Sequence, residues 1–399
     1  MTPSPARTQA PPRTPAPLDD LLGFRALLSP GEAHTLEQLT ASFDQEVRPL
    51  VAQHWRDGTF PAELPAVLAA HGALSVPGDG RSSLLRGLIH AELARVDASC
   101  STFLGVHGGL CLRAIDQYGS EQARAEFLPG LRDLSQIGAF ALTEPEHGSD
   151  ISRSLGTTAV RDGDEWVLHG VKRWIGNGTI ADVLLVWARE PATGELLGFL
   201  VPGQAPGLQR TLINDKTALR IVQNADLVLD GVRVTEAHRL PGVRGFSDIA
   251  EILTDSRVWV TWQTLGLQLA AYDYALRASR DRTQFGAPLG SFQLVQQKLV
   301  RILENVTTTF ALLAQLARLQ DTTGVRSEQA ALAKAAGSAR MRESVALARE
   351  LLGGNGILQE SGIARVFSDA EALYTYEGTH DMNTLIVGRA ITGVSAFSS

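Results

Sequence analysis

Apolar and polar residues alternate along this chain in three successive regimes. From Leu18 to about Ile137 the apolar positions recur at helical spacing between short breaks. Leu84–Val96 and Glu121–Leu131 are the clearest stretches. Near Gly138 the character changes. Val160 leads into Asp162-Gly163 and then Glu165-Trp-Val-Leu-His-Gly170, which predicts strand, turn and strand. Val183-Leu-Leu-Val-Trp187, Leu197-Gly-Phe-Leu-Val201 and Asp226-Leu-Val-Leu-Asp-Gly-Val-Arg-Val234 continue the β pattern without intervening helices. Such a run predicts an antiparallel sheet or barrel. After about Gly245 the helical period returns. Trp262, Leu265, Leu269, Tyr272 and Leu276 form one series, and Val295, Leu299, Ile302, Val306, Phe310 and Leu313 form a longer one. The fold class expected is therefore α+β: a Pro-rich tail over 1–17, a helical domain over 18–137, a β domain over 138–246 and a helical bundle over 247–396.

Length and composition narrow the function. At 399 residues the chain suggests two or three packed units. A net charge of −7 argues against a nucleic-acid surface. No apolar run approaches the ~18 residues that suggest a membrane span. Two cysteines, Cys100 and Cys111, give no disulfide framework and favour a reducing compartment. Lysine is rare, at 172, 216, 298 and 334 only, which reads as codon bias. The tail's prolines oppose the amphipathic helix that a transit peptide needs, so a disordered tail is expected. The end Ala396-Phe-Ser-Ser399 is not a peroxisomal signal, and a bacterial cytoplasm is the expected address.

Several chemistries lack their residues. The nine histidines form no H-E-x-x-H or Cys/His cluster, so no metal is expected. G-x-S-x-G, a Walker loop and G-x-G-x-x-G after a strand are all absent. Five segments remain: Phe140-Ala-Leu-Thr-Glu-Pro-Glu-His-Gly-Ser-Asp150, Lys172-Arg-Trp-Ile-Gly-Asn177, Arg282-Thr-Gln-Phe-Gly286, Leu351-Leu-Gly-Gly-Asn-Gly356 and Tyr376-Glu-Gly-Thr-His-Asp381. Taken alone, the first reads as a turn capped by Ser149 or Asp150.

In this order and at these separations the five segments resemble the acyl-CoA dehydrogenase family, and the similarity runs over roughly residues 20–396. The resemblance implies a helical N-terminal domain, a central antiparallel β domain and a C-terminal four-helix bundle. It also implies FAD between the last two and, usually, a homotetramer whose neighbouring subunits touch one another's cofactor. The Tyr376–Asp381 segment is similar to the glutaryl-CoA dehydrogenase branch. Arg95-Val-Asp-Ala-Ser-Cys-Ser-Thr-Phe103 and Gln223-Asn are closer to plant peroxisomal short-chain acyl-CoA oxidases.

The resemblance also assigns roles. Glu377 is the base that takes the substrate α-proton while a β-hydride leaves. Its backbone N–H and a flavin hydroxyl hold the thioester oxygen, a preorganised oxyanion site. Thr143 donates to the flavin pyrimidine edge, with Phe140 and Leu142 backbone alongside. Trp174 walls the flavin, with Ile175 and Gly176 in the same segment. Arg282, Gln284, Phe285 and Gln293 grip the diphosphate and adenine across a subunit contact, Gly353 and Gly354 approach the cofactor by backbone, and Thr379 and Asp381 lie by the diphosphate. Ser149 serves cofactor or CoA, and Arg257 holds the pantetheine or nucleotide end of CoA. Tyr376, Gly378 and Ser101 complete the substrate set. Some branches carry the base just before Arg257, where this chain has Ser256, leaving Glu377 without a rival.

Two departures set expectations. Many relatives have Thr or Ser where this chain has Gly176, so space is expected to open at the hydride-accepting edge. Ser101 and Ala94 stand where glutaryl-specific relatives carry an Arg and a partner acid. A buried carboxylate without a cation is costly, so a straight short acyl chain is favoured over glutaryl-CoA. The expected activity is a short-chain acyl-CoA dehydrogenase passing electrons to an electron-transfer flavoprotein. An oxygen-using acyl-CoA oxidase, decarboxylating glutaryl-CoA dehydrogenase and a non-catalytic flavin-binding protein are the alternatives.

Overall fold

A computed structural model describes residues 19–396, so the Pro-rich tail lies outside the described residues. Helices α1 (Pro30–Ser42), α2 (Arg48–Asp57), α3 (Leu64–Ala70), α4 (Ser83–Val96), α5 (Ala98–Leu104), α6 (Arg113–Tyr118) and α7 (Glu121–Arg132) form the first layer. Their starts are written in hydroxyl caps. Ser29 and Glu32 form a reciprocal capping box at α1, and Ser82 and Ser120 accept from the third residues of α4 and α7.

The β domain comprises β1 (Gly138–Ala141), the short helix α8 (Ile151–Ser154), β2 (Thr158–Asp162), β3 (Glu165–Ile175), β4 (Val183–Arg189), β5 (Leu196–Pro202), β6 (Leu208–Leu212) and β7 (Ala225–Thr235). Pairing is antiparallel for β2–β3, β3–β7, β6–β7 and β4–β5. β1 runs parallel to β4, and β2 touches β4 at one parallel position, so the sheet is mixed rather than wholly antiparallel. β1 was not visible as a strand in the sequence because all four of its residues are buried and none alternates. In β3, Lys172 pairs with Leu227 and Ile175 with Ala225. Three steps along β3 match two along β7, which is a β-bulge at Arg173-Trp174. Trp174 there takes φ 64°.

The last domain holds α9 (Phe246–Asp281), the hairpin β8 (Thr283–Gln284) and β9 (Ala287–Pro288), then α10 (Gln293–Gln320), α11 (Ser327–Leu351), α12 (Ile363–Thr375) and α13 (His380–Thr392). α9 is the central pillar, and its residues from Val258 to Tyr272 are all buried. Two glycines let its neighbours close in. A Cβ at Gly266 would lie 2.2 Å from the Ala91 carbonyl oxygen of α4, and one at Gly337 of α11 would lie 2.8 Å from Thr264 Oγ1. Among the described residues no helix is long and apolar enough to cross a membrane, and no group of His, Cys, Asp or Glu could hold a metal ion.

Candidate active site

Glu377 lies in the short link between α12 and α13 with φ 55°, and Gly378 follows at φ 85°. A non-glycine residue in the left-handed region is strained and must be held there by its surroundings. The holding groups come from three helices. Lys334 Nζ on α11 donates to the carbonyls of Tyr374 (2.8 Å) and Gly378 (2.7 Å). Asn383 Nδ2 on α13 donates to the carbonyls of Gly378 (2.8 Å) and Thr379 (3.0 Å). Ser256 Oγ on α9 donates to the Glu377 carboxylate.

The electrostatics suit a base. Burial pushes the Glu377 carboxyl up, while the Ser256 hydroxyl, Arg257 and Lys334 pull it back down. Burial also lowers Lys334 to about 8, with Glu377 opposing and Arg257 adding to the drop. Arg257 is held below its ordinary value by burial, with Glu377 raising it. Its Nε is buried without a hydrogen-bond partner among the described residues, so a donor near the Glu377 carboxylate is left for a ligand.

Next to Glu377, Tyr376 donates its hydroxyl to Gln263 Oε1 and lies 3.2 Å from Thr102 Oγ1. Gln263 Nε2 donates to Ser101 Oγ at 3.0 Å, and Ser101 donates to the His90 carbonyl at 3.0 Å. Burial lowers His90 to about 4, so the network His90–Ser101–Gln263–Tyr376 is neutral near pH 7. Ser101 is fully buried and its hydroxyl is already committed on both sides. The nearby Arg95 is committed too, with Nε and Nη2 on Asp273 at 2.6 and 2.7 Å.

The first two motif segments, thirty residues apart, are laced together. Thr143 Oγ1 donates to the Arg173 carbonyl at 2.6 Å and the Arg173 N–H returns to the Thr143 carbonyl at 2.9 Å. The buried Lys172 ammonium reaches Leu142 O at 3.2 Å and Glu144 Oε1 at 2.9 Å. The lacing presents the bulged Trp174 with 54% of its surface open, which excludes an ordinary core role. Phe140 and Leu142 are buried in the cluster against which Val106 and Tyr376 pack, and Ile175 is buried.

Several expectations change. The Thr143 hydroxyl proton is used on Arg173, so toward a ligand it can only accept. The opening expected at Gly176 is absent, because a Cβ there would meet Val106 Cγ2 at 3.1 Å. Asp150 precedes α8 but caps nothing with its side chain, and instead accepts from His147 Nδ1 at 3.0 Å. Ser149 is exposed. Thr379 caps α13 by accepting from Met382 N, and Asp381 is exposed in that helix's first turn. Arg282, Gln284, Phe285 and Gln293 line an exposed edge, with Phe285 97% open, and among the described residues they form no hydrogen bond or ion pair with the Glu377 loop. Gly353 and Gly354 form an uncovered turn after α11 where an added Cβ meets nothing within 4 Å.

Three regions of the chain match family descriptions: "Acyl-CoA dehydrogenase, N-terminal domain" over 30–134, "middle domain" over 139–232 and "C-terminal domain" over 243–392. The chain belongs to the acyl-CoA dehydrogenase family. It is 31% identical to the mitochondrial short-chain specific acyl-CoA dehydrogenase of Bos taurus over 376 residues, 91% of each protein. A glutaryl-CoA dehydrogenase from Mycobacterium smegmatis superposes with a TM-score of 0.92 at 36% identity, covering 96% of this chain and 99% of that one. A glutaryl-CoA dehydrogenase structure from the same organism, in complex with FADH2, gives a TM-score of 0.92 at 33% identity, with the same coverage. An acyl-CoA dehydrogenase is an oxidoreductase acting on the CH–CH bond of an acyl-CoA, with FAD as cofactor. The residues present fit that group: an open aromatic on a bulge and an uncovered glycine turn.

The residues that sequence reasoning missed are Lys334, Asn383, Gln263 and the Lys172–Glu144 pair. Gln263 carried a signal, since it interrupts the apolar face of α9 next to Trp262. So did the lysines: in a chain with four, three donate to backbone carbonyls.

Proposed function

We propose that the protein oxidises a short, straight-chain acyl-CoA to its trans-2-enoyl-CoA, with Glu377 as the α-proton base and an electron-transfer flavoprotein as electron acceptor. The observation that carries this is the setting of Glu377: a left-handed residue whose carboxylate is raised by burial yet kept ionisable by Ser256, Arg257 and Lys334. A base needs this poise, ionised before reaction and basic enough to take a weakly acidic proton. The Glu377 N–H makes no hydrogen bond among the described residues, leaving it for the thioester oxygen. FAD, when bound, supplies the acceptor for the β-hydride. Arg257, with its unpartnered Nε, is suited to a polar part of CoA. The open edge at Phe285 fits a homotetramer in which it is covered by a neighbouring subunit.

A glutaryl-CoA substrate is the second reading, favoured by the 36% identical Mycobacterium smegmatis structure. The neutral network at Ser101 and the committed Arg95 argue against it, because neither can pair a distal carboxylate. The test is anaerobic flavin bleaching across an acyl-CoA length series that includes glutaryl-CoA, followed by reoxidation with an electron-transfer flavoprotein or with oxygen. Fast bleaching by butyryl-CoA or hexanoyl-CoA is expected. Fastest turnover of glutaryl-CoA with carbon dioxide release contradicts the proposal.

A further inference from the structure

Lys334 lies within α11, an alanine-rich helix on which a lysine would ordinarily point to water. Lys334 is instead 0% exposed, and its ammonium is directed at two backbone carbonyls at the link that carries Glu377. One hydrogen bond ends on Tyr374 O, in the last turn of α12, and the other on Gly378 O. Those two carbonyls bracket Glu377 by three residues on one side and one on the other. No ion pair within 4 Å joins Lys334 to the Glu377 carboxylate among the described residues, so the contact is with the loop rather than with the acid. Gly378 O also accepts from Asn383, so one carbonyl is fixed from two helices at once.

We propose that Lys334 is a positioning residue for the proton transfer: by tying the Tyr374 and Gly378 carbonyls together across the link it sets the left-handed turn that aims the Glu377 carboxylate and frees its backbone N–H. The inference rests on Glu377 being the base. Burying an ammonium is costly, and two hydrogen bonds to neutral carbonyls only partly offset that cost. A helix C-terminus alone does not call for it, since exposed lysines, glycines or water cap such ends routinely. What an exposed cap lacks is a grip on the residue beyond the base. The cation adds a second effect on Glu377. The charged and titratable groups facing that carboxylate are Arg257 from α9, Lys334 from α11 and Tyr376 within the link, with the Ser256 hydroxyl in contact. Removing the Lys334 charge leaves Arg257 as the one cation there among the described residues, so the Glu377 pKa must rise further.

The experiment uses flavin-loaded Lys334→Met and Lys334→Gln beside the unmodified enzyme. Anaerobic bleaching by butyryl-CoA is measured from pH 5 to 9, together with FAD content and the Kd for crotonyl-CoA. A misplacement of the base near 1 Å predicts a bleaching rate per flavin roughly 10- to 100-fold lower in Lys334→Met. The acid limb of its pH profile should move up by about half a unit or more. FAD content and crotonyl-CoA Kd should change by no more than about twofold, so kcat falls while KM holds. Lys334→Gln, which keeps a neutral donor, should recover part of the rate but not the pH limb. Unchanged rate and pH profile per flavin in both variants overturns the proposal. So does loss of fold or flavin in both with normal chemistry in whatever enzyme retains it, because that is a purely structural role. If the unmodified enzyme is bleached by no acyl-CoA, the reading of Glu377 as base fails first, an outcome distinct from an active parent with indifferent Lys334 variants.

Discussion

The link carrying Glu377 and the hairpin Thr283–Pro288 belong to one helical domain yet differ in nearly every physical respect. Around Glu377 buried donors from α11 and α13 hold the carbonyls of Tyr374, Gly378 and Thr379, and Ser256 of α9 holds the carboxylate. On the hairpin, Phe285 takes φ 51° and is 97% exposed, with Phe292 approaching its ring edge-on at 6.1 Å. The same left-handed backbone is thus held by side chains from neighbouring helices in one place and only by the hairpin's own pairing in the other. On the proposed reading the groups around Glu377 all come from a single chain. The exposed edge at Phe285 has the character of a surface awaiting a ligand or a second copy.

Glu377→Gln breaks the first region most sharply. The amide keeps the Ser256 contact but takes no proton, so anaerobic bleaching should fall by about three orders of magnitude with FAD content preserved. Retained bleaching would identify another base. Next in size is substrate charge. A neutral donor returns ~1 kcal/mol net against a desolvation cost of several kcal/mol for a carboxylate. Butyryl-CoA should therefore exceed glutaryl-CoA by at least ~100-fold in kcat/KM, about 2.7 kcal/mol. Ser101→Arg should narrow that gap if the guanidinium reaches the pocket past Gln263. Equal turnover of the two thioesters would contradict the neutral-network argument.

The second region responds differently. Phe285→Ala should weaken FAD retention on the order of 10-fold, about 1.4 kcal/mol, and loosen the oligomer, measured by flavin release and by size at low concentration. The smallest effect is on pH. Because burial raises Glu377 and Ser256 lowers it, Ser256→Ala should move the acid limb of bleaching upward and cost a few-fold in rate below neutrality. Activity rises with pH through this pKa, since the base must be ionised. The stability contribution has the opposite sign. A folded pKa above the unfolded one favours folding at low pH, and that contribution is lost as pH rises from the ordinary carboxylate value through the raised one. A limb unmoved in Ser256→Ala would remove the hydroxyl from the account.

Much of this was legible in the sequence. The strands at Val160, Val183, Leu197 and Asp226 announced themselves by alternation or apolar runs between turn residues. What escaped reading depends on tertiary approach. β6 is short and largely exposed, so it carries no apolar signal. The bulge at Trp174 exists only in relation to β7. Gly176 seemed to open space, but the filling side chain, Val106, comes from seventy residues away. Ser101 looked like a pocket residue, and the reason its hydroxyl is occupied is Gln263, on a helix far along the chain. Lys334 was invisible because an alanine-rich helix with one lysine reads as a surface helix, and burial is decided by α12 and the link packing over it.

The separation of the two regions is tested most directly by bleaching Glu377→Gln and Phe285→Ala side by side with butyryl-CoA, each rate expressed per bound flavin. The account predicts full flavin and a rate about a thousandfold lower in the first, with reduced flavin and a rate within about twofold of the parent in the second. A Phe285→Ala enzyme as slow per flavin as Glu377→Gln, or a Glu377→Gln enzyme bleached at the parent rate, would contradict it.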